Sequence, residues 1–98
     1  MARAKFRYKR SLHGIGYNRQ GVIYFISQLY RELPKEKQAE IRRMCQEAGG
    51  EHWKAVFERV TTGREPGVIC MEHYLSESTL ERKVREYYKL FAQNEKMR

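Results

Sequence analysis

Apolar positions along the chain recur mainly at helical spacing. From Arg19 onward, Val22, Phe25, Ile26, Leu29, Tyr30 and Leu33 follow the i, i+3, i+4, i+7 rule, which predicts a helix over 21–33 with that stripe turned inward. The run Val22-Ile23-Tyr24-Phe25-Ile26 also has strand propensity, so a strand start is the competing expectation. Ile23 and Tyr24 fall off the stripe, which implies a wide face or two neighbours. Pro34 ends this helix and can open the next, because its missing N–H costs nothing in a first turn. Ile41, Met44, Cys45 and Ala48 then make an apolar side opposite Glu36, Lys37, Glu40, Arg42, Arg43 and Glu47, until Gly49-Gly50 stop the helix. The segments 21–33 and 34–48 are expected to pair as a helical hairpin.

A third helix carries Trp53, Val56, Phe57 and Val60 inward. Thr62 with Glu65 forms a capping-box pattern ahead of a weak helix start at Pro66-Gly67. Val68, Ile69 and Met71 lead on to Leu75. Ser76 is placed to cap the last helix, and Ser78 with Glu81 offers a second capping register. Past the cap, Leu80, Val84, Tyr87, Tyr88 and Phe91 define one buried stripe that runs to about Gln93. The pattern predicts an all-α, compact five-helix domain over 19–98, preceded by a basic, flexible N-terminal arm at 1–18. Its last three helices would form one unit.

The opposite face of the last helix's first two turns carries Glu77, Ser78, Glu81, Arg82 and Arg85. A polar, exposed helix start of this kind suits reaching base edges in a major groove. The stretch from Cys70 through the turn to Leu75-Ser76-x-x-Thr79-Leu80-x-Arg82 resembles the helix-turn-helix of small bacterial and phage regulators. The resemblance covers roughly 65–88, within a helix-turn-helix expected at about 65–93, and casts Cys70 as the small residue between two helices, Leu75 as the apolar turn residue, and Leu80 and Val84 as the buried side of a recognition helix. Tyr74 stands where many members have Gly, so it needs a positive φ or a differently shaped turn.

The resemblance implies a sequence-specific DNA-binding protein, a transcriptional regulator of phage or mobile-element type. Ser78, Arg82 and Arg85 would then meet base edges, with Glu77 and Glu81 accepting from cytosine or excluding wrong sequences. Arg3, Lys5, Arg7, Lys9, Arg10, Arg64, Lys83 and Lys89 would neutralise phosphates and release counterions. Solvated amphipathic surface, with Glu81 and Arg85 as an i,i+4 pair, is the plainer account of the same face.

Charge sharpens this picture more than composition does. The 98 residues carry a net charge of +8. No acid precedes Glu32, whereas residues 1–31 hold seven Lys or Arg; the remainder holds thirteen basic and twelve acidic residues, so seven of the eight excess charges lie in the first third. A block of one sign seeks phosphates or another anionic surface, unless it serves only as a solubilising tail. In the arm the cations alternate with Phe6 and Tyr8, which suits phosphate and sugar contact, an edge strand, or a tail docked on its own domain. Gly14 and Gly16 mark a hinge.

Other chemistry is thinly represented. The chain has no Asp, no phosphate-cradling glycine motif between a strand and a helix, and three well-separated histidines, so it is read as a non-enzyme without cofactor. Cys45 and Cys70 are the only cysteines and fall at apolar helix positions, which points to reduced thiols and a cytoplasmic setting. Cys70-x-x-His73 is a single ligand pair where zinc sites normally show two, so no metal is assigned. No apolar run reaches the ~18 residues of a membrane span. The rival to DNA binding is a helical protein–protein assembly adaptor. It would use the seven Tyr and four Phe, with Leu90 at the seam of a homodimer formed through the C-terminal helix. RNA binding through the arm is a third route, supported only by charge and aromatics.

Overall fold

The computed structural model describes residues 15–96 and is all-α, with no strand among them. Helix α1 spans Tyr17–Gln28, α2 Lys35–Gly49, α3 Trp53–Thr61, α4 Pro66–His73 and α5 Glu77–Lys96. Short 3-10 turns, Tyr30–Glu32 and Gly50–His52, follow α1 and α2. The second turn runs into α3 with no extended residue between. Helices α2 and α3 are thus joined directly as one hairpin, leaving four separate helical units among the described residues where five were expected. Residues 1–14, including most of the basic arm and its alternative edge strand, lie outside the described residues.

Helix α5 is the centre of the fold. Its Leu80, Val84, Tyr87, Tyr88 and Phe91 are buried, as the stripe predicts, and Ala92 joins them. They meet Ile41, Met44 and Cys45 of α2, Ala55, Val56 and Val60 of α3, and Ile69 and Cys70 of α4 in one core cluster. Trp53 and Phe57 pack half-buried against that cluster, with their rings edge-to-face at 6.3 Å.

Helix α1 corrects two expectations. Half of its predicted stripe faces outward: Val22, Phe25 and Leu29 are 51%, 59% and 46% exposed, whereas Tyr30 is buried and Ile26 and Leu33 pack half-buried against the core. The fully buried line is Gln20, Ile23, Ser27 and Tyr30, and of these only Tyr30 belongs to that stripe. Polar members can face inward because each has a partner. The Gln20 amide donates to Ile15 O at 3.1 Å, and the Ser27 hydroxyl donates to Ile23 O at 2.8 Å. With that proton committed, Tyr87 Oη donates to Ser27 Oγ across 2.7 Å. A satisfied buried hydroxyl costs little, whereas an orphaned one costs about 1–3 kcal/mol.

The second correction concerns pairing. Helix α1 packs on α3 and α5, while α2 packs on α3 and α5 as well, so the hairpin is α2–α3 and not 21–33 with 34–48. Helix α1 stops at Gln28, short of Leu33. Leu33 is extended (φ −84°, ψ 156°), as a residue before proline prefers, and Pro34 sits at the N-cap of α2. This extended link redirects the chain. Gln28 then caps α3 from outside: its amide donates to Val60 O at 2.9 Å and to Thr62 O at 3.4 Å.

Between α2 and α3 two glycines have separate reasons. Gly50 has φ +58°, which a side chain resists. A Cβ on Gly49 would lie 3.0 Å from Val56 Cγ2, so this position lets the two helices approach.

Candidate nucleic-acid interface

The corner between α4 and α5 is built from both sides. Pro66 occupies the first turn of α4 and Glu65 is its N-cap. The expected Thr62–Glu65 capping box does not form. Thr62 instead serves the end of α3, donating its hydroxyl to Glu58 O at 2.7 Å and accepting from the Arg64 N–H at 3.2 Å. Helix α4 ends on Tyr74, which adopts the left-handed conformation (φ 58°, ψ 51°). The Leu75 N–H reaches back to Cys70 O at 3.1 Å, the long bond of a Schellman ending. Leu75 itself packs half-buried against the core.

Ser76 then caps α5. Its Oγ accepts from the Thr79 N–H at 3.1 Å and donates to Thr79 Oγ1 at 2.9 Å. This is the first of the two capping registers. With one helix closed by Tyr74 and the next opened by Ser76, the chain turns instead of continuing as a rod. Helices α3, α4 and α5 pack on one another as a three-helix unit.

The leading face of α5 is open. Glu77, Ser78, Glu81, Arg82 and Arg85 are all exposed, and Ser78, Glu81, Arg82 and Arg85 line a shallow depression together with Glu86. Ser78, Arg82, Arg85 and Lys89 recur at i, i+4, i+7 and i+11 and so share one line along the helix. Arg85 Nη2 donates to Glu81 Oε2 at 3.0 Å. Among the described residues no carboxylate pairs with Arg82.

Several cations assigned to phosphates are otherwise engaged. Arg64 bridges two carboxylates, donating to Glu58 Oε1 at 2.8 Å and gripping both Glu72 oxygens at 2.8 Å. These bonds raise the Arg64 pKa above its ordinary value and hold the Glu72 carboxyl below its own. Lys83 is half-buried and donates to Gly49 O at 3.1 Å, capping α2. Lys89 is also half-buried. Arg3, Lys5, Arg7, Lys9 and Arg10 lie outside the described residues.

His73 Nε2 lies 3.2 Å from Glu58 Oε2, and Glu58, Glu72 and His73 are the one convergence of metal-capable groups among the described residues. The Arg64 guanidinium already sits on both carboxylates. Neither cysteine joins this group; Cys45 and Cys70 are free and buried, and burial pushes the Cys45 thiol up to about 12. Leu90, placed by the sequence at a dimer seam, packs half-buried on the core.

Sequence reasoning missed two features here. One is the Arg64 clasp between α3 and α4, which depends on residues six and eight positions away across a loop. The other is the Tyr74 side chain, 91% exposed and the most exposed large apolar residue described. Its turn position was a signal for the backbone, but not for the side chain. Comparison with protein-family models, curated proteins and solved structures finds no match.

Proposed function

We propose that this chain binds double-stranded DNA sequence-specifically, as a small transcriptional regulator of phage or mobile-element type. The leading turns of α5 would enter the major groove, and the basic N-terminal third would track phosphates. The observation that carries the reading is the capped α4–α5 corner, which presents Ser78, Arg82 and Arg85 to solvent on a rigid helix. Four acids lie on or near that face and would repel a duplex; Arg64 takes Glu72 and Arg85 takes Glu81, and Glu77 and Glu86 weigh against the reading. The reading is one of binding, with no catalytic step and no cofactor, in a reduced cytoplasmic setting that suits two free thiols.

Binding to random and selected duplexes across a salt series tests it. Six phosphate contacts would give a log–log slope of about −5. Arg82→Ala should change sequence preference by about 1–3 kcal/mol at one base pair, the size of a bidentate contact. Deleting residues 1–10 should weaken all duplexes alike. A flat salt response removes the DNA reading, and a selected site bound equally well by Arg82→Ala removes the groove assignment.

A specific observation supports the adaptor as second reading. Val22, Phe25 and Leu29 expose an apolar line on α1 at i, i+3 and i+7. That line offers more apolar surface to a partner, or to a second copy, than the packed Leu90 does. Salt-independent self-association, lost in a Val22→Ser, Leu29→Gln double variant, would favour it.

A further inference from the structure

We infer that Tyr74 is itself a duplex-contacting residue, donating its phenol hydrogen to a backbone phosphate oxygen at the corner between α4 and α5. The inference rests on the DNA-binding reading and adds to it a contact that neither charge nor the helix face supplies. Three observations bear on it.

The backbone of Tyr74 is left-handed, at φ 58° and ψ 51°, and it is the one non-glycine residue with positive φ among those described. Glycine takes this conformation without strain, and asparagine takes it more readily than tyrosine does. The structural task of the position is met by main-chain atoms alone, since the Tyr74 N–H donates to Cys70 O. Folding therefore gives no reason for tyrosine here.

The side chain does nothing for the core either. It is 91% exposed, and no described residue hydrogen-bonds to its hydroxyl or stacks on its ring. Its neighbour Leu75 supplies the apolar plug of the turn instead. A strained backbone that displays an unpartnered phenol points to something outside the chain.

Position and chemistry select the ligand. Tyr74 stands two residues before the Ser76 cap, beside the first turn of α5. When that turn enters a groove, the element flanking it meets the sugar–phosphate wall, which is where tyrosine hydroxyls position a protein without reading bases. Glu72 and Glu77 flank the site. A neutral donor of fixed reach is suited to approach a phosphate there.

The test compares the full chain with Tyr74→Gly, Tyr74→Asn and Tyr74→Phe, measuring melting temperature and affinity for random and selected duplexes over a salt series. The glycine and asparagine variants are expected to melt at or above the wild-type temperature. Yet all three should bind every duplex about three- to tenfold more weakly, the worth of one hydrogen bond. The salt slope and the sequence preference should stay as in wild type, because the lost group is uncharged and touches no base. Wild-type affinity in the phenylalanine and glycine variants overturns the inference and leaves the DNA reading standing. A lower melting temperature for the glycine variant overturns it too, since the side chain would then be structural. If the wild-type chain binds no duplex, the DNA reading fails and this contact fails with it.

Discussion

Helices α1 and α5 obey the same 3.6-residue periodicity and use it in opposite ways. In α5 the apolar stripe Leu80, Val84, Tyr87, Tyr88, Phe91 is the buried face. In and just after α1, the Val22, Phe25 and Leu29 half of the expected stripe is on the surface, and a line containing Gln20 and Ser27 is inside. The difference lies in competition. Behind the stripe of α5 stand charged residues that cannot be buried without partners. Around α1 stands a second line, led by Ile23, whose polar members are uncharged and find acceptors at Ile15 O and Ile23 O. Periodicity names a face securely only where its rivals are charged.

The largest effect that sharpens this comparison comes from Phe91→Ala in α5, which should cost about 3–5 kcal/mol by denaturant unfolding. Ile23→Ala in α1 should follow at about 2–5 kcal/mol. Val22→Ser and Leu29→Gln, by contrast, should each stay within about 0.5 kcal/mol of wild type. If those two cost as much as Ile23→Ala, the exposed stripe is a core face after all. Ser76→Ala comes next, at about 1 kcal/mol, from the lost cap on the Thr79 N–H. Helix α1 has no side-chain cap, so Gly16→Ala there should cost less.

The smallest effect concerns charge. The Glu72 carboxyl is depressed by Arg64, so its contribution is present above the ordinary glutamate value of 4.5 and is lost as pH falls through the lower folded value. A melting series from neutral to acid pH should therefore show Glu72→Gln converging with wild type at the acid end. Both side chains of this pair are well exposed, so the gap at neutral pH should be small. A gap that persisted in acid would mean the clasp works through packing and not through charge.

Much of the architecture was legible in local residues. The proline and double-glycine boundaries of α2, the Ser76 cap and the buried stripe of α5 each depend on neighbours within a few positions. That Tyr74 needs a positive φ or a differently shaped turn was visible for the same reason, and the structure takes the first. The leading face of α5 was legible as an exposed face, because Glu77, Ser78, Glu81, Arg82 and Arg85 leave it no apolar residue to bury. Engagement of its neighbours was not: Lys83 is spent on Gly49 O, and Arg64 on Glu58 and Glu72, through contacts between separate elements.

Taken alone, the chain of 98 residues settles that it is helical outside the 22–26 run, where most helices start and stop, and that its positive charge gathers in the first third. Those properties follow from torsional preference, capping and ionisation, which act over one or two turns. Tertiary structure decided which side of α1 is inside, that α2 pairs with α3, and that the Tyr74 side chain stands exposed with no partner among the described residues. A buried polar atom is tolerable only beside its partner, and for Ser27 that partner, Tyr87, lies sixty residues along the chain.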